Sequence, residues 1–248
     1  MSLQKLTDRV YYLPWNQETD QPNLYYIHGR DFSVAVDAGQ SRRHVELFYE
    51  AIAQAGFPLP RYTVITHWHW DHTFGLPYIQ GESIANSLTV QQLKTVQTWA
   101  WTDEAMQERE RTGEDIAFCN EHIRKEYPSL KDIAVSLPCR GIDTPETLDM
   151  GDVQLHLFPM DSPHSRDAVL IWLPAEKVLF VGDADCGDYY DNQGLADPDR
   201  LEKYLEFIRG LDFELCCIGH DAPESREENL RNMLQLETGK AEPFGGRK

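Results

Sequence analysis

Three histidines and an aspartate fall within six residues, in the run His67-Trp68-His69-Trp70-Asp71-His72. Neutral imidazole and ionised carboxylate are the donors that zinc, iron and manganese take from proteins. In an extended segment side chains two residues apart point the same way, so His67 and His69 are set to grip one ion together. Asp71 and His72 come as the chain turns and can face a second position. Two ions about 3.5–4 Å apart share a water and lower its pKa towards about 7. The resulting hydroxide attacks a carbonyl or phosphoryl centre, and the ions stabilise the oxyanion that develops. The expected chemistry is metal-assisted hydrolysis.

Such a cluster needs a rigid frame. β-Rich segments at 10–13, 23–27 and 32–36 are separated by turn residues, and another at 62–66 runs straight into the histidines. Between them, Ser41 precedes a stretch at 43–54 whose Val45, Phe48 and Ile52 fall at helical spacing, and Gly56 ends it. Residues 89–127 are polar and predict two helices broken near 112–113, a helical insertion that either covers a site or stands as a plain solvated hairpin. Strands are expected again at 153–158, 168–173, 177–181 and 214–218, with helices at 198–209 and 224–236. Strands alternating with helices in two similar halves predict a layered α/β arrangement. No composition shift marks a boundary, so one domain over 1–248 is expected.

The spacing His67-x-His69-x-Asp71-His72 resembles the signature of the metallo-β-lactamase superfamily. The resemblance continues in order. Val36-Asp37-Ala38-Gly39 is similar to the family's early strand ending in Asp-x-Gly, and His164 to its third ligand of the first metal. Gly182-Asp183 is similar to the strand end whose Asp bridges the metals, and Ile218-Gly219-His220 to the last motif. The matches run from Phe32 to about Pro223. The resemblance implies an α/β fold, a four-layer αβ/βα sandwich with the site along one edge between two sheets. It implies two divalent ions, zinc first, with iron or manganese as alternatives. His67, His69 and His164 would hold one ion and Asp71, His72 and His220 the other, with Asp183 between them. Asp71 would also hold or orient the hydroxide's proton, and Asp37 would steady a ligand from behind.

Some residues near these motifs are not fixed by them. Ser165-Arg166-Asp167 replaces the small residues many members carry after the third ligand. Arg166 is a candidate to bind an anionic substrate group, or else to pair with Asp167 or Asp185. Asp185 is the alternative bridge and Cys186 a candidate thiolate. Trp68, Trp70, Tyr189 and Tyr190 are candidate pocket walls; aromatic faces among carboxylates suit a cationic group as well as plain packing. His28, His44, His122 and His156 have no place in the set.

The whole chain sets further bounds. Its 41 acidic and 23 basic residues give a formal charge of −18, which repels nucleic acid. No apolar run reaches the ~20 residues of a membrane span, and residues 1–10 do not resemble a signal peptide. A cytoplasmic protein with no membrane partner is expected. The five cysteines form no CxxC pair and are expected as reduced, mostly buried thiols. The expected function is hydrolysis of a small ester, lactone, thioester or phosphodiester by a metal-bridging hydroxide. An iron-dependent redox protein, similar to a sulfur dioxygenase, is the alternative on the same fold. The small-molecule substrate and the oligomeric state stay open.

Overall fold

Alternation of side chains, rather than long apolar runs, builds the two sheets at the centre of the computed structural model. It describes residues 2–237; residue 1 and residues 238–248 of the expected 1–248 domain lie outside the described residues. The first sheet holds β1 (Gln4–Lys5), β2 (Val10–Leu13), β3 (Leu24–His28), β4 (Ser33–Val36), β5 (Tyr62–Val64), β6 (Glu82–Asn86) and β7 (Arg140–Ile142), in that spatial order. Pairing is antiparallel from β1 to β4 and parallel from β4 to β7. The second sheet holds β8 (Glu146–Asp149), β9 (Gln154–Met160), β10 (Ala168–Leu173), β11 (Val178–Gly182), β12 (Leu215–Ile218) and β13 (Glu224–Ser225). Only β11 and β12 run parallel there.

Each strand sends alternate residues to opposite faces. Tyr25, Ile27, Val34 and Val36 meet Val169, Ile171, Phe180 and Cys217 between the sheets. Leu24, Tyr26 and Ala35 face outward onto Phe48, Ala51 and Ile52 of α1 (Arg42–Gln54). On the far side Leu170, Leu179, Val181 and Cys216 face Leu201, Tyr204, Leu205 and Ile208 of α6 (Pro198–Arg209) and Met233 of α7 (Arg226–Glu237). The result is helix, sheet, sheet, helix, the four-layer sandwich. Burying each such aliphatic side chain contributes about 1.5–3 kcal/mol.

The elements between α1 and α6 are α2 (Trp70–Thr73), α3 (Ser87–Val96), α4 (Asp103–Thr112) and α5 (Ala117–Glu126). The stretch 89–127, expected as two helices, therefore contains three. Gly113, at φ +78°, ends α4 as the sequence suggested. The further break comes before α4, where Thr102 Oγ accepts from Ala105 N. There Trp99 and Trp101 turn to hold the Arg109 guanidinium at 4.5 and 4.9 Å from their ring centres. α3 packs on β6 and β7 as part of the sandwich; α5 reaches the site, where its Phe118 and Cys119 line the space over the donors.

At the start of α1, Ser41 Oγ accepts from His44 N at 3.2 Å. The His44 ring is fully buried and neither of its nitrogens has a hydrogen-bond partner. Burial first, and the neighbouring His72 second, push it down to about 3. The unfolded chain protonates His44 near pH 6.5, whereas the folded one keeps it neutral. Stability is therefore lost as pH falls from about 6.5 towards 3, by about 1.4 kcal/mol per pH unit for this one group. His44→Leu, compared with the parent protein in the same metal state, is expected to flatten that acid limb in urea unfolding. Parallel limbs would show that His44 is not the neutral, buried base described.

Candidate metal centre

Strand ends deliver the donors. β4 leads into Asp37, β5 into Thr66 and His67, β11 into Asp183, and β12 into Gly219 and His220. These are the carboxyl ends of parallel pairs, where α/β sheets gather their functional groups. His69 sits at the N-cap of α2, and the helix then turns Asp71 and His72 inward. His164 arrives on the loop between β9 and β10.

The seven expected residues come together in two groups: His67, His69 and His164, then Asp71, His72, Asp183 and His220. Within each group the donor atoms lie within 4.8 Å of one another. His67 Nε2 is 2.9 Å from His69 Nδ1, and His164 Nε2 is 3.0 Å from the same atom. Asp183 Oδ2 lies between the groups, 4.0 and 3.8 Å from Nε2 of His67 and His164, and 3.4 Å from Nε2 of both His72 and His220. Asp71 Oδ2 is 3.0 Å from Nε2 of both His72 and His220.

The opposite side of several rings is held by a partner. His164 Nδ1 donates to Gly187 O at 2.8 Å, which leaves Nε2 bare towards the cluster. His72 Nδ1 meets Asp37 Oδ2 at 2.8 Å, and His67 Nδ1 lies 3.1 Å from Thr66 Oγ. Asp37, at φ +66°, is anchored by Thr66 N donating to its Oδ1 at 2.7 Å. Two glycines make room. A Cβ on Gly182, at φ +57°, would lie 2.5 Å from Thr66 Oγ, and one on Gly219 only 2.0 Å from Asp183 Oδ1.

Electrostatics divides the two groups. Burial pushes His67 and His69 well below the ordinary histidine range and His164 down as well, so their lone pairs are available. Around His72 and His220 burial also acts downward, but it is outweighed by carboxylates. Asp71, Asp183 and Asp37 surround the first, and Asp183, Asp20 and Asp71 the second, so both are raised well above that range. The same imidazoles hold Asp71 and Asp183 low against their burial. Dense anionic charge that proton-bearing rings must balance is charge a cation can balance. Asp183 Oδ1 is buried without a hydrogen-bond partner. This donor set fits two divalent cations.

Sequence reasoning missed Asp20, whose Oδ1 lies 3.5 Å from His220 Nδ1. Burial first, then the charges of Asp71 and Asp183, push its carboxyl up to about 7. It sits at φ +58° in the loop after β2, far from every motif. Asp185 and Cys186, by contrast, join neither donor group.

Two spaces open onto the donors. A narrow chamber of ≈ 110 Å³ is walled by Ile116, Phe118, Cys119, Tyr189 and Tyr190, with Asp71, Asp183 and His220 among its floor residues. A broader groove of ≈ 580 Å³ runs past Trp68, Gln91, Gln92, Thr95 and Arg166. Tyr190 divides them, its ring 4.9 Å from both His69 and Trp68 and its hydroxyl donating to Asp115 at 3.2 Å. Trp68, Tyr189 and Arg166 thus lie where pocket walls were expected. Trp70 does not: it is buried against Phe74, Val96 and Met106, because α2 turns it away from the donors and under α4 and α5. Nor does Arg166 pair with Asp167 or Asp185. It reaches Asp161 at 3.6 Å and Asp191 at 3.8 Å, while Asp167 accepts from Ser165 and Thr89.

The loop carrying both tyrosines is tied down by Arg200 of α6. This buried guanidinium meets Asp188 at 2.8 Å and Asp161 at 2.6 Å, and Asp188 also accepts from Tyr190 N and Asp191 N. Arg200→Met leaves Asp188 buried and uncompensated, so a loss of about 3–5 kcal/mol is expected in chemical denaturation. Adding Asp188→Asn should recover part of it. A loss under about 1 kcal/mol would mean the pair is solvated.

The chain matches the family described as the metallo-beta-lactamase superfamily over residues 18–220. Among curated proteins it is 23% identical to the acyl-coenzyme A thioesterase MBLAC2 of Gallus gallus, over 68% of this chain and 61% of that protein. It is 22% identical to the atrochrysone carboxyl ACP thioesterase of Aspergillus fumigatus, over 90% of this chain and 57% of that protein. The chain thus spans about six-tenths of the length of these relatives. Among solved structures it superposes on a metallo-beta-lactamase from Pontibacter korlensis with TM-score 0.64 and 16% identity, covering 95% and 98% of the two chains. The DIM-1 metallo-beta-lactamase also gives 0.64, at 18% identity and 96% and 99% coverage. At such identities these two structures speak for the fold alone. With the family matched over residues 18–220 of its length, the chain belongs to the metallo-β-lactamase superfamily.

Proposed function

We propose that this enzyme hydrolyses a small acyl ester, with a thioester as the leading substrate, at a dinuclear metal centre. The observation that carries the reading is Asp183 Oδ2 standing between two compact donor groups on the floor of the chamber. His67, His69 and His164 would hold one ion and Asp71, His72 and His220 the other, with Asp183 within reach of both. When bound, two divalent ions supply Lewis acidity and an activated water.

The chain's own groups do the rest. Asp37 and Gly187 O fix the tautomers of His72 and His164, so the donor nitrogens are presented without reorganisation. Asp71 takes the proton given up by the attacking water and returns it to the leaving sulfur or oxygen. Tyr190 and α5 narrow the access of bulk water to the reacting carbonyl. The thioester preference draws on the two curated relatives, both named as thioesterases.

The test is metal content per chain, read beside a panel of thioesters, esters, lactones and phosphodiesters. Close to two zinc, manganese or iron ions with turnover of the acyl substrates supports the reading. One iron with no hydrolysis would turn the argument to the redox alternative. Among the described residues, no helix is long and apolar enough to cross a membrane.

A further inference from the structure

We infer that the two spaces divide the substrate at its scissile bond: a short apolar acyl group enters the chamber, and a neutral, amide-bearing thiol arm lies in the groove. The inference rests on the acyl-ester reading above and names the substrate class of that same site.

His69, His164 and Tyr190 line both spaces, so the reacting carbonyl belongs where the spaces meet. The chamber is small. At the ~30 Å³ that a water-sized group occupies in a liquid, ≈ 110 Å³ holds roughly four such groups. Above the donors its walls are Ile116, Phe118, Cys119 and the rings of Tyr189 and Tyr190. The Tyr190 hydroxyl is already committed to Asp115. Phe118 both lines the chamber and is 39% exposed, so it stands where the chamber meets solvent. A four-carbon chain fits this space. A thiol arm several times longer does not, so it takes the groove.

The groove offers hydrogen bonds rather than cationic charge. Gln91 and Gln92 lie on α3 one turn before Thr95, and amide and hydroxyl side chains of this kind match the amides of an extended arm. Its acids outnumber its bases. Glu114, Asp167, Asp191 and Asp188, the last balanced by Arg200, line it against the single guanidinium of Arg166, which already lies between Asp161 and Asp191. On a chain of formal charge −18, such a groove penalises a polyphosphate. The thiol carrier it suits is therefore a neutral one. The reaction balances without a further reagent: water adds at the carbonyl carbon, the carbon–sulfur bond breaks, and carboxylate, thiol and one proton leave.

The experiment uses the metal-loaded protein. Acetyl, butyryl, hexanoyl and octanoyl thioesters of N-acetylcysteamine are compared with the same acyl groups on coenzyme A. We expect kcat/KM to be highest for chains up to about five carbons and to fall at least ~10-fold by octanoyl. Coenzyme A substrates should be at least ~10-fold poorer than their neutral counterparts, with a gap that narrows as salt rises. Phe118→Ala should raise the octanoyl-to-butyryl ratio, and Phe118→Trp should lower it. Independently of turnover, calorimetric titration should find butyrate, the product, bound at least ~10-fold more tightly than octanoate. A flat or rising chain-length profile that ignores both Phe118 variants overturns the inference, as does equal preference for coenzyme A. If every chain length is cleaved alike, only this inference falls. If no ester or thioester is cleaved, the hydrolase reading falls with it.

Discussion

Asp183→Ala is expected to lower kcat/KM by at least ~10³-fold and to take metal content from about two ions per chain to one or fewer. Among the described residues, no other carboxylate pairs with imidazoles of both donor groups. Its Oδ2 is within 3.4–4.0 Å of four imidazole nitrogens. Removing it leaves those rings without their shared anion. His72 and His220, raised by Asp183 among others, should then shed their protons more readily, so the loss is electrostatic as well as geometric. Asp183→Asn keeps the shape and removes the charge, and it should lose metal nearly as completely. Elemental analysis read with activity checks both. Two ions retained and activity within tenfold of the parent would remove Asp183 from the position between the metals.

Gly219→Ala should cost about 10²-fold in kcat/KM, through a residue that holds no ion and touches no substrate. The new Cβ would lie 2.0 Å from Asp183 Oδ1 and 3.3 Å from His72 Cε1. The backbone cannot yield easily, because Gly219 N donates to Gly182 O at 2.9 Å and Gly219 O accepts from Asn23 N at 2.7 Å. Asp183 must therefore rotate, and the distances on which both donor groups depend change together. We expect one ion lost per chain and a folded protein by circular dichroism. Unchanged turnover would mean that the carboxylate has a second position equally good for catalysis.

The part of this site that was readable in the sequence is the part written locally. His67 to His72 lie within one turn of chain, and His164, Asp183 and His220 were found because each follows a strand in a known order. What escaped is assembled only by folding. Asp20 reaches His220 across two hundred residues of chain, and Ile116 and Phe118 arrive on a helix whose polar sequence gives no sign of lining a chamber. Trp70 shows the opposite error: adjacency to histidines suggested a pocket wall, whereas the helical turn that presents Asp71 must point its neighbour elsewhere. For the fold, β6 was hidden because Glu82–Asn86 contains one β-branched residue, and its burial comes from neighbours on both sides. α3 was merged with α4 because polarity alone does not mark a helix end.

The donors come from both sheets: His67, His69, Asp71 and His72 follow strands of the first, and His164, Asp183 and His220 follow strands of the second. Along the same seam Asn23 and Tyr25 of the first sheet's side reach the carbonyl of Ile218 on the second. A centre built this way is also a rivet. Each ion held there would join two halves of the chain that contribute to the site only after each has folded, so occupancy reports that the halves have docked. Ions bound to the native state alone add RT ln(1 + [L]/Kd) to its stability, and stripping them loosens the seam before it loosens either sheet.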